Sequence, residues 1–329
     1  MALSRRGFLQ LAAAAAGSSL FANINLASGL VERGFSTPAS SGYWGKPVFE
    51  MGYAADRVKP GAHRAILKSA GVLSAENWTK FWVLRPTRDE FVTRKGDEMA
   101  AFAAANGKKL HGHCICWHHQ NPGWLLTVPP GEIDAVLEEH IQLIAGRWGD
   151  HLYSIDVVNE AYVNGYREPS PFSNSLELAF ELAAQYLPNA RRVYNSWFVY
   201  EKDRQEAEEF VQNGLAQAIG HQFHLSEGYY EDYPWAETFI DRIQDLGADF
   251  YFSEVGVQAN TLRKQAQMYR DLARLAANKR VERFVVWGVK DPAWRGDVTL
   301  FDSGGNPKPA YYSVNRERVS GEHSKYRII

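Results

Sequence analysis

Leu152-Tyr153-Ser154-Ile155-Asp156-Val157-Val158-Asn159-Glu160 is a short, mostly apolar run that closes on an amide and a carboxylate. Its length and apolar content predict a buried strand over Leu152–Val158, with Asn159 and Glu160 at its C-terminal tip. Seven further runs of the same kind are Val48–Ala54, Ala70–Ser74, Lys109–Cys116, Arg192–Ser196, Ala218–Leu225, Asp249–Val255 and Arg283–Val289. Between most of them the apolar period lengthens to that of a helix, in Asp97–Ala105, Ile133–Arg147, Ser175–Gln185, Lys202–Ala218, Trp235–Gln244 and Arg263–Ala277. Strand–helix alternation implies parallel pairing. Eight such units in roughly 280 residues predict an α/β fold of the (β/α)8, or TIM-barrel, kind. A doubly wound open sheet is the rival, and no glycine-rich phosphate loop follows a strand to support it.

In a barrel, chemistry gathers at the C-terminal ends of the strands. Glu76 and Asn77 follow strand two, and Trp117 and His118 follow strand three. Asn159 and Glu160 end strand four, and Asn195 ends strand five. Gln222 and His224 lie on strand six, Glu254 on strand seven and Trp287 on strand eight. Seven consecutive strands therefore offer polar or aromatic groups to one rim.

The rest of the composition narrows the possibilities. A chain of 329 residues, 45% hydrophobic, buries a core without needing a metal or a disulfide. With 36 Lys and Arg against 38 Asp and Glu there is no charge excess to favour nucleic acid or an anionic surface as partner. Nothing calls for an obligate protein partner either, so a monomer is expected. Cys114 and Cys116, the only cysteines, stand two apart in one strand, poorly placed to bridge each other, and read as small buried hydrophobes. His111 and His113 beside these cysteines invite a zinc reading. A tetrahedral site closes poorly on one extended segment, so no metal and no cofactor is expected. At the start, Arg5-Arg6-Gly7-Phe8-Leu9 precedes an apolar, alanine-rich run from Leu11 to Phe21. That pattern predicts a twin-arginine-type export leader over residues 1–30, with one catalytic domain over 31–329 and a periplasmic or secreted product. No other stretch is long and apolar enough to span a membrane.

Glu160 and Glu254 are three strands apart in a ring of eight and so face each other across the mouth. Glycoside hydrolysis requires two carboxyl groups flanking the scissile bond, one protonated and one ionised. A cross-mouth pair can approach the separation of about 5–5.5 Å that supports a covalent intermediate.

The resemblance that follows from the motifs is to glycoside hydrolase family 10, the β-1,4-xylanases, over nearly all of the chain after residue 30. Glu76-Asn77-Trp78-Thr79-Lys80-Phe81 is similar to that family's E-N-x-x-K-W, and Gly112-His113 through Trp117-His118-His119-Gln120 and Trp124 to its G-H-T-L-V-W-H-x-Q-x-P-x-W. Asp156-Val157-Val158-Asn159-Glu160-Ala161 matches D-V-V-N-E-A without change, Gln222-Phe223-His224 follows Q-x-H, and Ser253-Glu254-Val255 follows T-E-L. Trp287-Gly288-Val289-Lys290-Asp291 and Trp294-Arg295 are similar to W-G-V-x-D and S-W-R. The resemblance implies a retaining endo-xylanase acting on a polysaccharide, with Glu160 as acid/base and Glu254 as nucleophile. It implies that Asn159 binds the sugar 2-hydroxyl and that Gln222 and His224 hold the nucleophile. Glu76, Asn77, Lys80, His113 and Trp117 would grip the non-reducing-side sugar, with Trp287 and Trp294 closing over it. The chain also departs from the family. Gly256 stands where an Asp usually orients the strand-six His, and Asn195-Ser196-Trp197 stands in place of N-D-Y. These changes are compatible with another β-linked polysaccharide, such as a bacterial exopolysaccharide, as substrate. A non-catalytic glycan-binding barrel is the third reading, and binding alone would not require both glutamates.

Overall fold

The computed structural model describes residues 47–163, 165–167, 169–227 and 235–319. The expected export leader lies outside the described residues. Eight parallel strands close into a barrel: β1 (Glu50–Ala55), β2 (Val72–Ala75), β3 (Lys109–Gly112), β4 (Leu152–Asn159), β5 (Arg191–Ser196), β6 (Ala218–Ser226), β7 (Asp249–Gln258) and β8 (Arg283–Val286). Each neighbours its successor in sequence, and β8 returns to β1. A main helix follows each strand: α1 (Ala62–Ser69), α2 (Arg94–Ala105), α3 (Ile133–Trp148), α4 (Leu176–Tyr186), α5 (Glu201–Gln212), α6 (Trp235–Asp245), α7 (Leu262–Asn278) and α8 (Pro309–Val319), with a single extra helical turn, Phe81–Leu84, ahead of α2. The fold is a (β/α)8 TIM barrel.

The helices bury one stripe each. On α7 the buried positions Gln265, Ala266, Met268, Tyr269, Leu272, Ala273 and Ala276 recur at helical spacing, and the Thr261 hydroxyl caps the first turn by accepting from the Lys264 amide at 3.1 Å. Within the ring, Leu73, Leu110, Ile155, Ile219, Phe252 and Phe284 are buried on the strands.

Three expectations need correction. The run Lys109–Cys116 is regular strand only to Gly112; the peptide after His113 is cis, and contact with β4 resumes as a single bridge from Cys116 to Val158. The helix expected over Lys202–Ala218 stops at Gln212, because Gly214 takes a φ of 70° and ends the turn. Helices α1 and α8 had no assigned periodicity: α1 spans only 8 residues, and on α8 the buried positions are Ala310 and Val314 alone.

One buried acid makes the outer layer pH-sensitive. Asp203, in the first turn of α5, accepts hydrogen bonds from the Tyr194 hydroxyl at 2.7 Å and the Ser196 hydroxyl at 2.5 Å. Burial raises its pKa to about 7, although those two bonds oppose the rise. A folded pKa above the unfolded one means that Asp203 favours folding fully below about pH 4 and less as pH climbs toward its folded value. Replacing it by Asn removes that slope. In urea unfolding, the stability of wild type relative to Asp203→Asn should fall between pH 5 and pH 8. A gap independent of pH would show that the carboxyl is ionised throughout.

Candidate active site

The barrel's C-terminal rim collects the residues expected there, and its centre is a buried carboxylate. Glu254, on β7, is 5% exposed. Its Oε1 accepts from the Asn195 amide at 2.8 Å and the Gln222 amide at 3.0 Å, and its Oε2 lies 3.1 Å from His224 Nε2. Burial by itself would raise its pKa; the His224 bond and the pull of the His113 and His224 imidazoles outweigh burial, so the net direction is down. Glu254 is therefore held ionised. The β6–β7 register sets these partners, pairing Gln222 with Glu254 and His224 with Gly256 beyond a bulge at His221.

The same donors reach a second group. Asn195 and Gln222 each also donate to Asn159 Oδ1, at 2.9 and 3.1 Å. With its oxygen taken twice, Asn159 has its amide N–H groups left to offer a ligand. The Ser253 hydroxyl donates to Asn195 Oδ1 at 2.6 Å and fixes which end of that amide faces Glu254 and Asn159. Room for the Asn195 side chain exists because residue 220 on β6 is glycine: a Cβ there would stand 2.7 Å from Asn195 Oδ1.

Glu160 follows the tip of β4 in a left-handed backbone conformation, φ 52°, with its amide donating to the Asn195 carbonyl at 2.8 Å. For a non-glycine residue that conformation costs about 1–2 kcal/mol. It is half-buried, and its two oxygens take different partners: Trp117 Nε1 donates to Oε2 at 2.9 Å and Trp197 Nε1 to Oε1 at 3.1 Å. The two glutamates thus sit in contrasting surroundings, one buried among amides and imidazole, the other bounded by indoles.

Beneath Glu254 runs a file of buried polar groups. The Arg283 guanidinium donates to the Ser154 oxygen at 2.8 Å, and Ser154 lies 2.7 Å from His111 Nδ1. His111 turns Nε2 toward Asp156, and a tautomer with its proton there would accept the Ser154 hydroxyl at Nδ1. His111 Nε2 and His113 Nδ1 both converge on Asp156 Oδ2, at 3.0 and 2.7 Å. Burial would raise the Asp156 pKa, but the two imidazoles reverse it to about 2. His113 Nδ1 is also 3.9 Å from Glu254 Oε1. Asp156 thus keeps the His113 imidazole oriented beside the Glu254 carboxylate.

The other rim residues form a flank and a lid. Lys80 is buried, lies 4.5 Å over the Trp117 ring, and donates to Asn77 Oδ1 at 3.0 Å and Gln120 Oε1 at 2.8 Å. Asn77 in turn donates to Asp56, which also pairs with Lys95. Glu76 is pushed to a raised pKa, first by burial and then by the Asp56 charge, with Lys80 and Lys95 opposing. Trp287 packs edge-on against His113 at 4.9 Å, and Trp294 edge-on against His224 at 4.8 Å. Trp287 is buried, whereas Trp294 is 49% exposed.

Gly256 leaves a mark. His224 Nδ1 is buried and has no hydrogen-bond partner among the described residues, and a Cβ at Gly256 would lie 3.3 Å from it. His224 therefore serves Glu254 as a one-sided donor through Nε2–H. No group of three or more His, Cys, Asp or Glu able to hold a metal exists among the described residues, and Cys114 and Cys116 are buried free thiols. The sequence reading named Asn195 and Trp197 but gave them no role, and it passed over Asp156. Two-residue spacing could have found Asp156: His111 pairs with Ser154 across β3 and β4, and two residues on, His113 meets Asp156.

Comparison with known proteins bears on this rim. Residues 45–317 match the family described as glycosyl hydrolase family 10. The chain is 27% identical over 311 residues to a β-1,4-xylanase of Dictyoglomus thermophilum, covering 82% of this chain and 88% of the other. It is 26% identical over 327 residues to endo-1,4-beta-xylanase A of Caldicellulosiruptor saccharolyticus, covering 82% and 94%. Among solved structures, xylanase 10B of Thermotoga petrophila RKU-1 in complex with xylobiose superposes with a TM-score of 0.74 at 24% identity, covering 82% of this chain and 93% of that one.

If His224 is what tips Glu254 toward ionisation, His224→Ala should let burial win. The Glu254 carboxyl, followed by carbon NMR in glutamate-labelled protein, should then titrate at a higher pH than in wild type. An unchanged or lower value would mean that the two amides suffice.

Proposed function

Because the chain belongs to glycosyl hydrolase family 10 and is a glycoside hydrolase, we propose that it cuts the β-1,4-linked backbone of xylan internally, by double displacement with net retention. The observation that carries this reading is the contrast between the two rim glutamates. Glu254 is held ionised by three donors, whereas the Glu160 carboxyl oxygens meet, among the described residues, two indole N–H groups.

The steps follow from those surroundings. Glu160 gives its proton to the glycosidic oxygen while Glu254 attacks the anomeric carbon, and the carbon–oxygen bond to the leaving sugar breaks. Oε1 of Glu254 already takes two amide bonds, whereas Oε2 takes only His224, so Oε2 has the lone pair for attack. In the second half, Glu160 as carboxylate takes a proton from water, the water oxygen bonds to the anomeric carbon, and Glu254 leaves ionised. Asn159 donates to the 2-hydroxyl, a bond that strengthens as the ring flattens toward the transition state. Lys80, Asn77, Glu76, His113 and Trp117 line the non-reducing side, and Trp287 and Trp294 supply apolar area over the reacting sugar. Residues 1–30 act in this proposal as an export leader that brings the enzyme to its polymer outside the cytoplasm.

On xylan, Glu160→Ala should lower kcat by about 10²–10⁴-fold, and Glu254→Ala should leave only background release of reducing sugar. Proton NMR of the first product should show the β-anomer; an α-anomer would mean inversion and end the two-glutamate assignment. A panel of other β-linked polysaccharides cut faster than xylan would reassign the substrate while keeping the chemistry. Gly220→Ala should lower kcat by about 10–100-fold, since its methyl displaces Asn195 from both Glu254 and Asn159.

A further inference from the structure

Among the described residues, Glu160 has two side-chain partners, and both are indoles. Trp117 Nε1 donates to one carboxyl oxygen at 2.9 Å and Trp197 Nε1 to the other at 3.1 Å. An indole nitrogen only donates, so neither ring can accept a proton from the acid. When Glu160 is protonated, its O–H finds no acceptor in either indole and is left to point into the cleft. Two donors on opposite oxygens also fix the plane of the carboxyl group.

Trp197 is more than an ornament of the rim. It directly follows Ser196 at the end of β5 and is 37% exposed. The Arg295 guanidinium lies 5.5 Å from its ring and 4.3 Å from that of Trp294, which joins the loop after β5 to the loop after β8. His224, the donor to Glu254, sits edge-on to both tryptophans, at 6.1 and 4.8 Å. The ring that holds the acid is thus braced by the residues around the nucleophile.

We propose that Trp197 is a positioning residue for the general acid/base: its indole N–H, braced by Arg295, aims the Glu160 proton at the leaving-group oxygen. The inference rests on the assignment of Glu160 as acid/base. A tyrosine, as in the element N-D-Y that Asn195-Ser196-Trp197 resembles, has no ring N–H and can accept as well as donate.

The role predicts a dependence on the leaving group. Trp197→Phe keeps an aromatic face for Arg295 and removes the N–H. Its kcat/KM on an unactivated xylo-oligosaccharide should fall by about tenfold or more, while a dinitrophenyl xylobioside, whose leaving group needs no proton, should lose less than about twofold. Benzothienylalanine at position 197 alone replaces N–H by sulfur in a ring of nearly the same shape, and it should reproduce the split with an unchanged thermal unfolding midpoint. Equal losses on both substrates, or none on either, would overturn the proposal. Glu160→Ala is the reference: a strong split there with none at Trp197 rejects only the role of Trp197. No split at Glu160 rejects the acid/base assignment itself.

Discussion

A carboxylate that must stay charged in a nearly water-free site needs donors from the protein, and the mouth of this barrel is organised around supplying them to Glu254. An unpaired buried charge would cost several kcal/mol and would take up a proton instead. Three side chains on two other strands answer that demand, from Asn195, Gln222 and His224. Neighbouring features follow from their placement. Gly220 clears space for Asn195, Ser253 sets its amide orientation, and the bulge at His221 aligns Gln222 with Glu254.

The economy of the arrangement lies in sharing. Each amide that serves Glu254 also serves Asn159, so the oxygen of Asn159 is occupied and only its donors remain for a sugar. One network therefore fixes the charge of one group and the polarity of another. The Glu160 carboxyl stands outside it, half-buried, and among the described residues its side-chain partners are two indoles. In the proposed mechanism two carboxyl groups on one rim take different duties because their neighbours differ, the general way in which one fold keeps an acid and a base side by side.

Much of this was legible in the chain. Eight apolar runs with intervening helical periods gave the barrel, because parallel strands buried on both faces are nearly continuous in Val, Ile, Leu and Phe. The strand-tip rule then drew attention to Glu160, Glu254, Asn159, Gln222 and His224. What escaped was contact between strands. Whether Asn195 turns toward Glu254 depends on a missing methyl at Gly220, and whether Trp197 reaches Glu160 depends on a rotamer and a stacked arginine. Pairwise register decides these matters, and no single strand carries it. Helix α1 and the early end of β3 were missed for a related reason, since short elements are set by their packing more than by their own periodicity.

The polar file from Arg283 through Ser154, His111 and Asp156 to His113 crosses the interior from the entry end of β8 to the mouth. A barrel filled with hydrocarbon insulates its two ends, and loops at one end can be rebuilt without disturbing the other. This one is threaded, and its floor and its cleft share a single set of proton positions. For anyone redesigning the enzyme, the interior is therefore not free to be refilled: replacing Ser154 or Arg283 by an aliphatic residue in the bottom layer would disturb the surroundings of Glu254 at the top.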